Sequence, residues 1–150
     1  MNKSITALNN LIEINIDRGE GYAAAAKETH EEDLKILFPQ LQHTSLQCKE
    51  ILCKEVERLG GLPADCTKIT NGFYEIWIAI KKALTNKDRK ELLKLCESAE
   101  QVAVKSYDQT LKSITDDITP DQLNILRLQH LLIKAEHHKV KTLCDMPAVN

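Results

Sequence analysis

The glutamates that fall along predicted helix faces are the residues best suited to chemistry in this sequence. Cys96-Glu97-Ser98-Ala99-Glu100 sets two carboxylates in an amphipathic stretch, and Gly19-Glu20-Gly21-Tyr22 sets another near the N-terminus. Glutamate on an inward helix face is costly unless something pairs with it. Oxygen-rich groups of this kind suit Mn, Fe(II), Mg or Ca. The sequence therefore raises the hypothesis of a metal site, whose ligands would be Glu20, Glu97, Glu100, Glu136 and His137.

A di-iron carboxylate centre makes a stricter demand on the sequence. It needs one Glu from each of two helices and a Glu-x-x-His motif from each of the other two. Glu20 and Glu100 match the single-Glu positions, but none of the five histidines has a glutamate three residues before it. Glu136 is followed at that spacing by Lys139, a cation where a ligand should stand. A complete di-iron centre is not predicted, whereas a reduced site for one cation, Fe or Mn, remains an alternative.

The same glutamates have a purely structural interpretation. Carboxylates that border a bundle core often hydrogen-bond to groups such as those of Asn15, Tyr107 or Gln129, or pair with a lysine, and such a network fixes helix register without a metal. A metal site would require Glu20, Glu100 and Glu136 to converge on one point, whereas a network would leave them hydrogen-bonded to other side chains. The sequence favours the network and keeps the metal site as the alternative.

Four long amphipathic helices must position these side chains. In the first, Asn15, Gly19 and Tyr22 continue an apolar stripe at three- and four-residue spacing, the period of a buried helix face. Thr29-x-x-Glu32 and Thr119-Pro120-x-Gln122 each have the pattern of a capping box, which opens a helix. Pro39 predicts a kink or a restart near Phe38. The long helices are predicted at about 4–28, 31–59, 87–114 and 120–143, with a crossover at 60–86 that contains a short helix at about 72–84.

This order of elements predicts an all-α fold, a ferritin-like four-helix bundle in a single domain over 1–150. Two short links and one long crossover are typical of such bundles, and the crossover lets the helix after it run parallel to the helix before it. No Asn-Gly turn separates two strand-like runs, since Asn71-Gly72 precedes a predicted helix. Phe73 and Trp77 in the crossover are predicted to cover one end or side of the bundle, or else to form an exposed apolar patch at a dimer interface.

Composition excludes several classes of function. A net charge of −2 without a basic stripe, and only 4% aromatic residues, argue against a nucleic-acid partner. A membrane role is not expected, because no apolar run approaches the ~20 residues that span a bilayer and the N-terminus lacks a signal-peptide core.

The five cysteines are odd in number and lack CxxC spacing, which indicates reduced thiols and a cytoplasmic protein. Cys48 and Cys96 fall on apolar stripes as small hydrophobic residues, and Cys66 and Cys144 are predicted to be more exposed.

Several motifs taken together resemble a known family. They are the segment 8–15 with the letters LNNLIEIN, Gly19-Glu20-Gly21-Tyr22, Leu59-Gly60-Gly61-x-Pro63, Trp77, the segment 92–100 and the helix from Gln129 to His137. They look like a bacterial ferritin-like four-helix-bundle family that is classed as a domain of unknown function. The resemblance spans nearly the whole chain and implies a ferritin-like bundle with a stress-related or metal-linked role. It implies no catalytic residue.

Two functional hypotheses follow from these observations. The first is a non-enzymatic helical bundle, a homodimer with an interaction or stress-related role, an unidentified protein partner and no cofactor. The second is a metal-binding ferritin-like protein with a mononuclear or degenerate di-metal carboxylate site and oxidase or storage activity. The sequence shows no nucleophile motif and no phosphate loop, so no catalytic or cofactor-binding residue is predicted and the first hypothesis is favoured.

Overall fold

The fold is all-α, as the sequence predicts. A computed structural model describes residues 3–65, 71–114 and 118–146. Its helices within these ranges are α1 (Lys3–Glu28), α2 (Glu32–Arg58), α3 (Asn71–Thr85), α4 (Arg89–Ser113) and α5 (Pro120–Asp145). None of these helices has the combination of length and apolarity that a bilayer-crossing segment needs.

The four long helices form a ring in which α1 packs on α2, α2 on α5, α5 on α4 and α4 on α1. Hydrogen bonds join Arg18 to Glu100 and Asn15 to Tyr107, so α1 and α4 are antiparallel. The short link between α1 and α2 makes those two helices antiparallel as well. It follows that α2 and α4 are parallel, which is the arrangement that the long crossover was expected to allow.

The crossover helix α3 packs on α1 and α4 and covers the seam between them. Phe73 is fully buried there, and its ring stacks on that of Trp77 at a centroid distance of 5.7 Å. Trp77 in turn meets the ring of Tyr22 edge-on at 5.3 Å. Of the two predictions for these aromatic residues, the structure shows the first, since they cover one side of the bundle.

Local sequence signals set most helix ends. Thr119 and Gln122 form the predicted reciprocal capping box, with both hydrogen bonds present at 3.1 Å. The chain leaves α2 at Gly60, whose φ of +84° is a left-handed conformation that glycine adopts without strain. The side chain of Asp88 accepts a hydrogen bond from the backbone N–H of Glu91 and caps α4.

The structure corrects one local prediction on α2 and part of another. The predicted capping box at Thr29 and Glu32 does not form, because Glu31 is the N-cap of α2 and Thr29 instead accepts a hydrogen bond from the Glu31 N–H. The Glu31 carboxylate makes no cap hydrogen bond and accepts one from Arg89. The helix also does not restart near Phe38, since Pro39 lies inside an uninterrupted α2.

Candidate functional site

A buried arginine stands at the centre of the bundle. Arg18 on α1 is fully buried, and its Nε and one Nη donate hydrogen bonds to the two carboxylate oxygens of Glu100 on α4, at 2.9 and 2.6 Å. The same Nη donates to Glu136 on α5 at 2.8 Å. The other Nη donates to the backbone carbonyl of Leu41 and to the hydroxyl of Ser45 on α2. All four long helices therefore meet at one guanidinium.

The carboxylates around Arg18 are also fully engaged. Glu100 is buried, and one of its oxygens accepts a second hydrogen bond from the hydroxyl of Tyr22 at 2.8 Å. Glu136 reaches the same cation from the rim, with a side chain that is 19% exposed, and its second oxygen accepts a hydrogen bond from Thr44 at 2.6 Å. Every oxygen of both carboxylates thus has a donor, and the polar cluster is closed.

Electrostatics keep Arg18 charged and Tyr22 protonated. Burial by itself would lower the pKa of Arg18, but the charge of Glu100 and the hydrogen bonds to it raise that pKa well above its ordinary value. Burial also raises the pKa of Tyr22 well above its ordinary value of 10.0, and the nearby charge of Glu100 adds to the effect. The guanidinium therefore remains a cation, and the Tyr22 hydroxyl keeps the proton that it donates to Glu100.

A second polar cluster lies further along the core. The hydroxyl of Tyr107 donates to the side-chain oxygen of Gln129 at 2.7 Å and accepts from the amide of Asn15 at 2.9 Å. Gln129 donates in turn to the backbone carbonyl of Cys48. This cluster joins the same four helices through neutral groups. The sequence named its members as partners for the glutamates, but the structure shows them bonded mainly to one another.

The structure separates the predicted metal ligands. Glu100 and Glu136 share Arg18, whereas Glu20 is exposed on α1 and lines a groove beside α3. Glu97 is half-buried near the C-terminal end of α5, where its charge adds to burial in raising the pKa of Cys144. His137 is half-buried, and its Nε2 has no hydrogen-bond partner among the described residues. Within the described ranges, no group of three or more His, Cys, Asp or Glu side chains is placed to hold a metal ion.

The donor set at the centre of the bundle does not fit an added metal ion. A cation bound between Glu100 and Glu136 would have to displace the guanidinium of Arg18, which already holds the positive charge there. The three hydrogen bonds from that guanidinium to the two carboxylates would be lost, and a buried arginine would be left without its anionic partners, at a cost of several kcal/mol. The arrangement can tie helices together, but it offers no open coordination position.

Arg18 is the residue that the sequence analysis missed. It is the next residue to Gly19, which was placed on the buried stripe of α1. Arg18 stands three residues after Asn15 and four before Tyr22, so it belongs to the same helix face as both. That spacing was a signal that an arginine points inward, toward the carboxylates on the other helices.

A groove lies on the surface between α1 and α3. Its volume is about 310 Å³, and its floor is largely apolar. Gly21 brings α1 and α3 into close contact, because a Cβ at this position would lie 2.2 Å from Cε2 of Trp77. Its lining carries three carboxylates and one cation, those of Asp17, Glu20, Glu28 and Lys81.

The described cysteines are free thiols. Cys48 and Cys96 are buried, as predicted, and burial raises the pKa of Cys48 to about 11. Burial raises the pKa of Cys96 further, together with the charge of Glu100. Cys144 is half-buried and so more accessible than these two. Cys66 lies outside the described residues.

A family model described as "Domain of unknown function (DUF2383)" matches residues 3–113, which include α1 to α4. A comparison with the curated proteins finds no match.

Proposed function

We infer a function from the premise that this chain belongs to the DUF2383 family, a family of domains of unknown function. We propose that the protein is a non-enzymatic helical bundle with an interaction or stress-related role, and that its polar core is structural. One observation carries the proposal: the buried cluster of Arg18, Glu100 and Glu136 is closed, with every guanidinium donor and every carboxylate oxygen hydrogen-bonded. The surface, not the interior, is then the part that meets other molecules.

We also propose that the bundle is ferritin-like in topology and has arginine at its centre, where ferritin-like metal proteins hold cations. The parallel pair α2 and α4, joined through one long crossover, supports this assignment. In ferritin-like metal proteins, carboxylates from facing helices hold cations in the bundle core. In this chain, Arg18 supplies a fixed positive charge to two such carboxylates and so gives the helices a common anchor without a metal.

Surface composition supports an interaction role and self-association. Exposed large apolar side chains lie on α2, α3 and α5, and those on α3 and α5 are Tyr74, Ile78, Leu128, Leu131 and Leu132. Apolar patches of this kind often mark contact surfaces. The free, high-pKa thiols fit the reducing cytoplasm, which we propose as the compartment.

The test is a metal titration of the full-length protein, purified without chelator or histidine tag. Elemental analysis by mass spectrometry is expected to find Fe and Mn well below one equivalent. A ligand that binds only the native state raises the melting temperature. Because we expect no metal to bind, added Fe(II) or Mn(II) should leave the melting temperature unchanged. Near-stoichiometric metal that is lost in a Glu100→Gln, Glu136→Gln variant would overturn the proposal and favour the oxidase or storage hypothesis. A Glu50→Gln, Glu57→Gln variant, changed at exposed positions of α2, is the matched control.

A further inference from the structure

The outward face of α5 has the pattern of a helix that docks in a groove. Leu128, Leu131, Leu132 and Ala135 follow the i, i+3, i+4, i+7 spacing by which amphipathic helices anchor to a partner. The three leucines are 60%, 62% and 48% exposed, and Ala135 is exposed as well. This row is therefore apolar, continuous and unpartnered within the described part of the chain.

The charges that border this row are positive. Arg127 and Lys134 are exposed and lie seven residues apart, on one side of the leucines, and Lys139 is exposed at the end of the row. The acidic residue within this stretch, Glu136, is already hydrogen-bonded to Arg18 and Thr44. The outward face of α5 thus presents an apolar row with a cationic border.

The groove between α1 and α3 has the complementary chemistry. Its apolar floor includes Trp77 and Leu84, and its outer edge on α3 carries Tyr74 and Ile78, each 54% exposed. The edge on α1 carries Glu20 and Glu28, both exposed. An apolar helix face with cationic neighbours would match this combination in both hydrophobicity and charge.

The spacing of the charges agrees as well. Glu20 and Glu28 are eight residues apart on one helix, which corresponds to about 12 Å along its axis. Arg127 and Lys134 are seven residues apart, which corresponds to about 10.5 Å. Long lysine and arginine side chains can accommodate the small difference, so both ion pairs can form at once.

These two surfaces lie on different sides of the molecule. The groove is bounded by α1 and α3 on the surface, whereas α5 packs mainly on α4 and α2 and reaches α1 through the core, where Glu136 accepts a hydrogen bond from Arg18. A chain therefore cannot place its own α5 in its own groove. Contact between the two different surfaces pairs Arg127 and Lys134 with Glu20 and Glu28, whereas a two-fold contact through either surface alone would not form those pairs.

We propose that the α1/α3 groove binds the outward face of α5 from a second copy of this chain. The contact is heterologous, since different surfaces of the two copies meet, and such contacts build rings or open chains of subunits. This inference rests on the proposed interaction role and specifies its surface and its occupant.

Charge reversal on each surface tests the proposal. The full-length wild type, Glu20→Lys with Glu28→Lys, and Arg127→Glu with Lys134→Glu are compared by analytical ultracentrifugation over a wide range of concentration and salt. The wild type is expected to associate, and salt is expected to weaken that association. Each double variant is expected to lose association alone, and an equimolar mixture of the two is expected to recover it, because each then offers the other a complementary surface.

The control is Glu50→Lys with Glu57→Lys, which makes the same charge change on an exposed row of α2 and is expected to associate as the wild type does. Circular dichroism establishes that each variant is folded. If a charge-reversal variant does not fold, glutamine substitutions at the same positions take its place and remove the charges without reversing them. A monomeric wild type would overturn the proposal. So would undiminished association of the Glu20→Lys, Glu28→Lys variant, or a mixture that stays monomeric. Stoichiometric metal in the purified protein would overturn the proposed non-enzymatic function. It would not affect the sedimentation experiment, which tests only whether the α1/α3 groove binds α5 of a second copy.

Discussion

Arg18 on α1 and Glu100 on α4, 82 residues apart in sequence, form a two-bond ion pair with no solvent exposure on either side chain. Buried ion pairs are often no more stabilising than apolar residues of similar volume, because both charges lose their hydration. Their strong effect appears when one partner is removed. The pair therefore mainly specifies how α1 and α4 align and contributes little net stability.

Replacing Arg18 alone should destabilise the protein strongly. Arg18→Met leaves Glu100 buried without its cation, and we expect the free energy of unfolding to fall by about 3–5 kcal/mol. Arg18→Met combined with Glu100→Leu removes both charges and should recover most of that loss. Urea denaturation measures both effects, with Glu20→Gln as a surface control that should change stability by less than about 0.5 kcal/mol. A double variant as unstable as Arg18→Met would contradict this account.

The two glycines of the Gly19-Glu20-Gly21 step should respond to alanine in opposite directions. A Cβ at Gly21 would lie 2.2 Å from Trp77, so Gly21→Ala must displace the indole and should cost about 1–3 kcal/mol. A Cβ at Gly19 would lie 3.7 Å from Cβ of Ser45, an ordinary contact. Gly19→Ala should therefore be stabilising by about 0.5–1 kcal/mol, the usual gain in a helix.

Chemical denaturation of the two single variants checks this prediction, and each variant serves as the other's control. Gly21→Ala combined with Trp77→Leu should lose less stability than the two single changes together, because the smaller side chain makes room for the new methyl group. If Gly19→Ala and Gly21→Ala changed the free energy of unfolding equally, the close contact of α1 with Trp77 would not determine the stability of the two variants.

Stability should decline above pH 10. Burial, reinforced by the charge of Glu100, raises the pKa of Tyr22, and burial also raises the pKa of Tyr107, both from an ordinary value of 10.0. Below pH 10 both phenols are protonated in the folded and unfolded states, so they contribute no pH dependence. Above pH 10 the unfolded chain loses these protons while the folded protein retains them, and stability falls by up to about 1.4 kcal/mol per pH unit for each tyrosine.

Urea unfolding between pH 8 and pH 11 measures this slope. A Tyr22→Phe, Tyr107→Phe variant should show a flatter decline, because two of the groups that titrate only on unfolding are gone. The buried thiols titrate in the same range but are present in both proteins, so the difference in slope reports the tyrosines. Identical slopes would show that the two phenols ionise in the folded protein.

The buried thiols should resist alkylation in the folded protein. The thiolate is the reactive form, and burial raises the pKa of Cys48 to about 11 and that of Cys96 as well. Mass spectrometry after a brief maleimide treatment should find both residues unmodified, while the half-buried Cys53 and Cys144 are labelled faster. The same treatment in denaturant should label all four. Rapid native labelling of Cys96 would indicate that the core around it opens readily.

The sequence by itself determined the features that depend on neighbours within one or two helical turns. The three- and four-residue spacing of apolar side chains predicted the long helices, and Thr119 with Gln122 predicted a cap that the structure contains. Gly60 likewise ends α2 as expected. These interactions act between residues close in the chain, so their outcome is largely independent of how the helices later pack. The exception at Thr29 arose where Arg89 from another helix engages Glu31.

Tertiary structure decided what the glutamates do. Periodicity placed Glu100 at the core but did not show which group would meet it, and the metal site remained a prediction alongside a network. Packing of the four long helices brings Arg18 to Glu100 and Glu136 and leaves Glu20 outside, beside Trp77. Arg18 and Gly19 are both buried, and the spacing on α1 indicates as much, but only the packing between helices brings Arg18 to carboxylates of α4 and α5. The pairing of long side chains across the bundle depends on that packing, which no local pattern specifies.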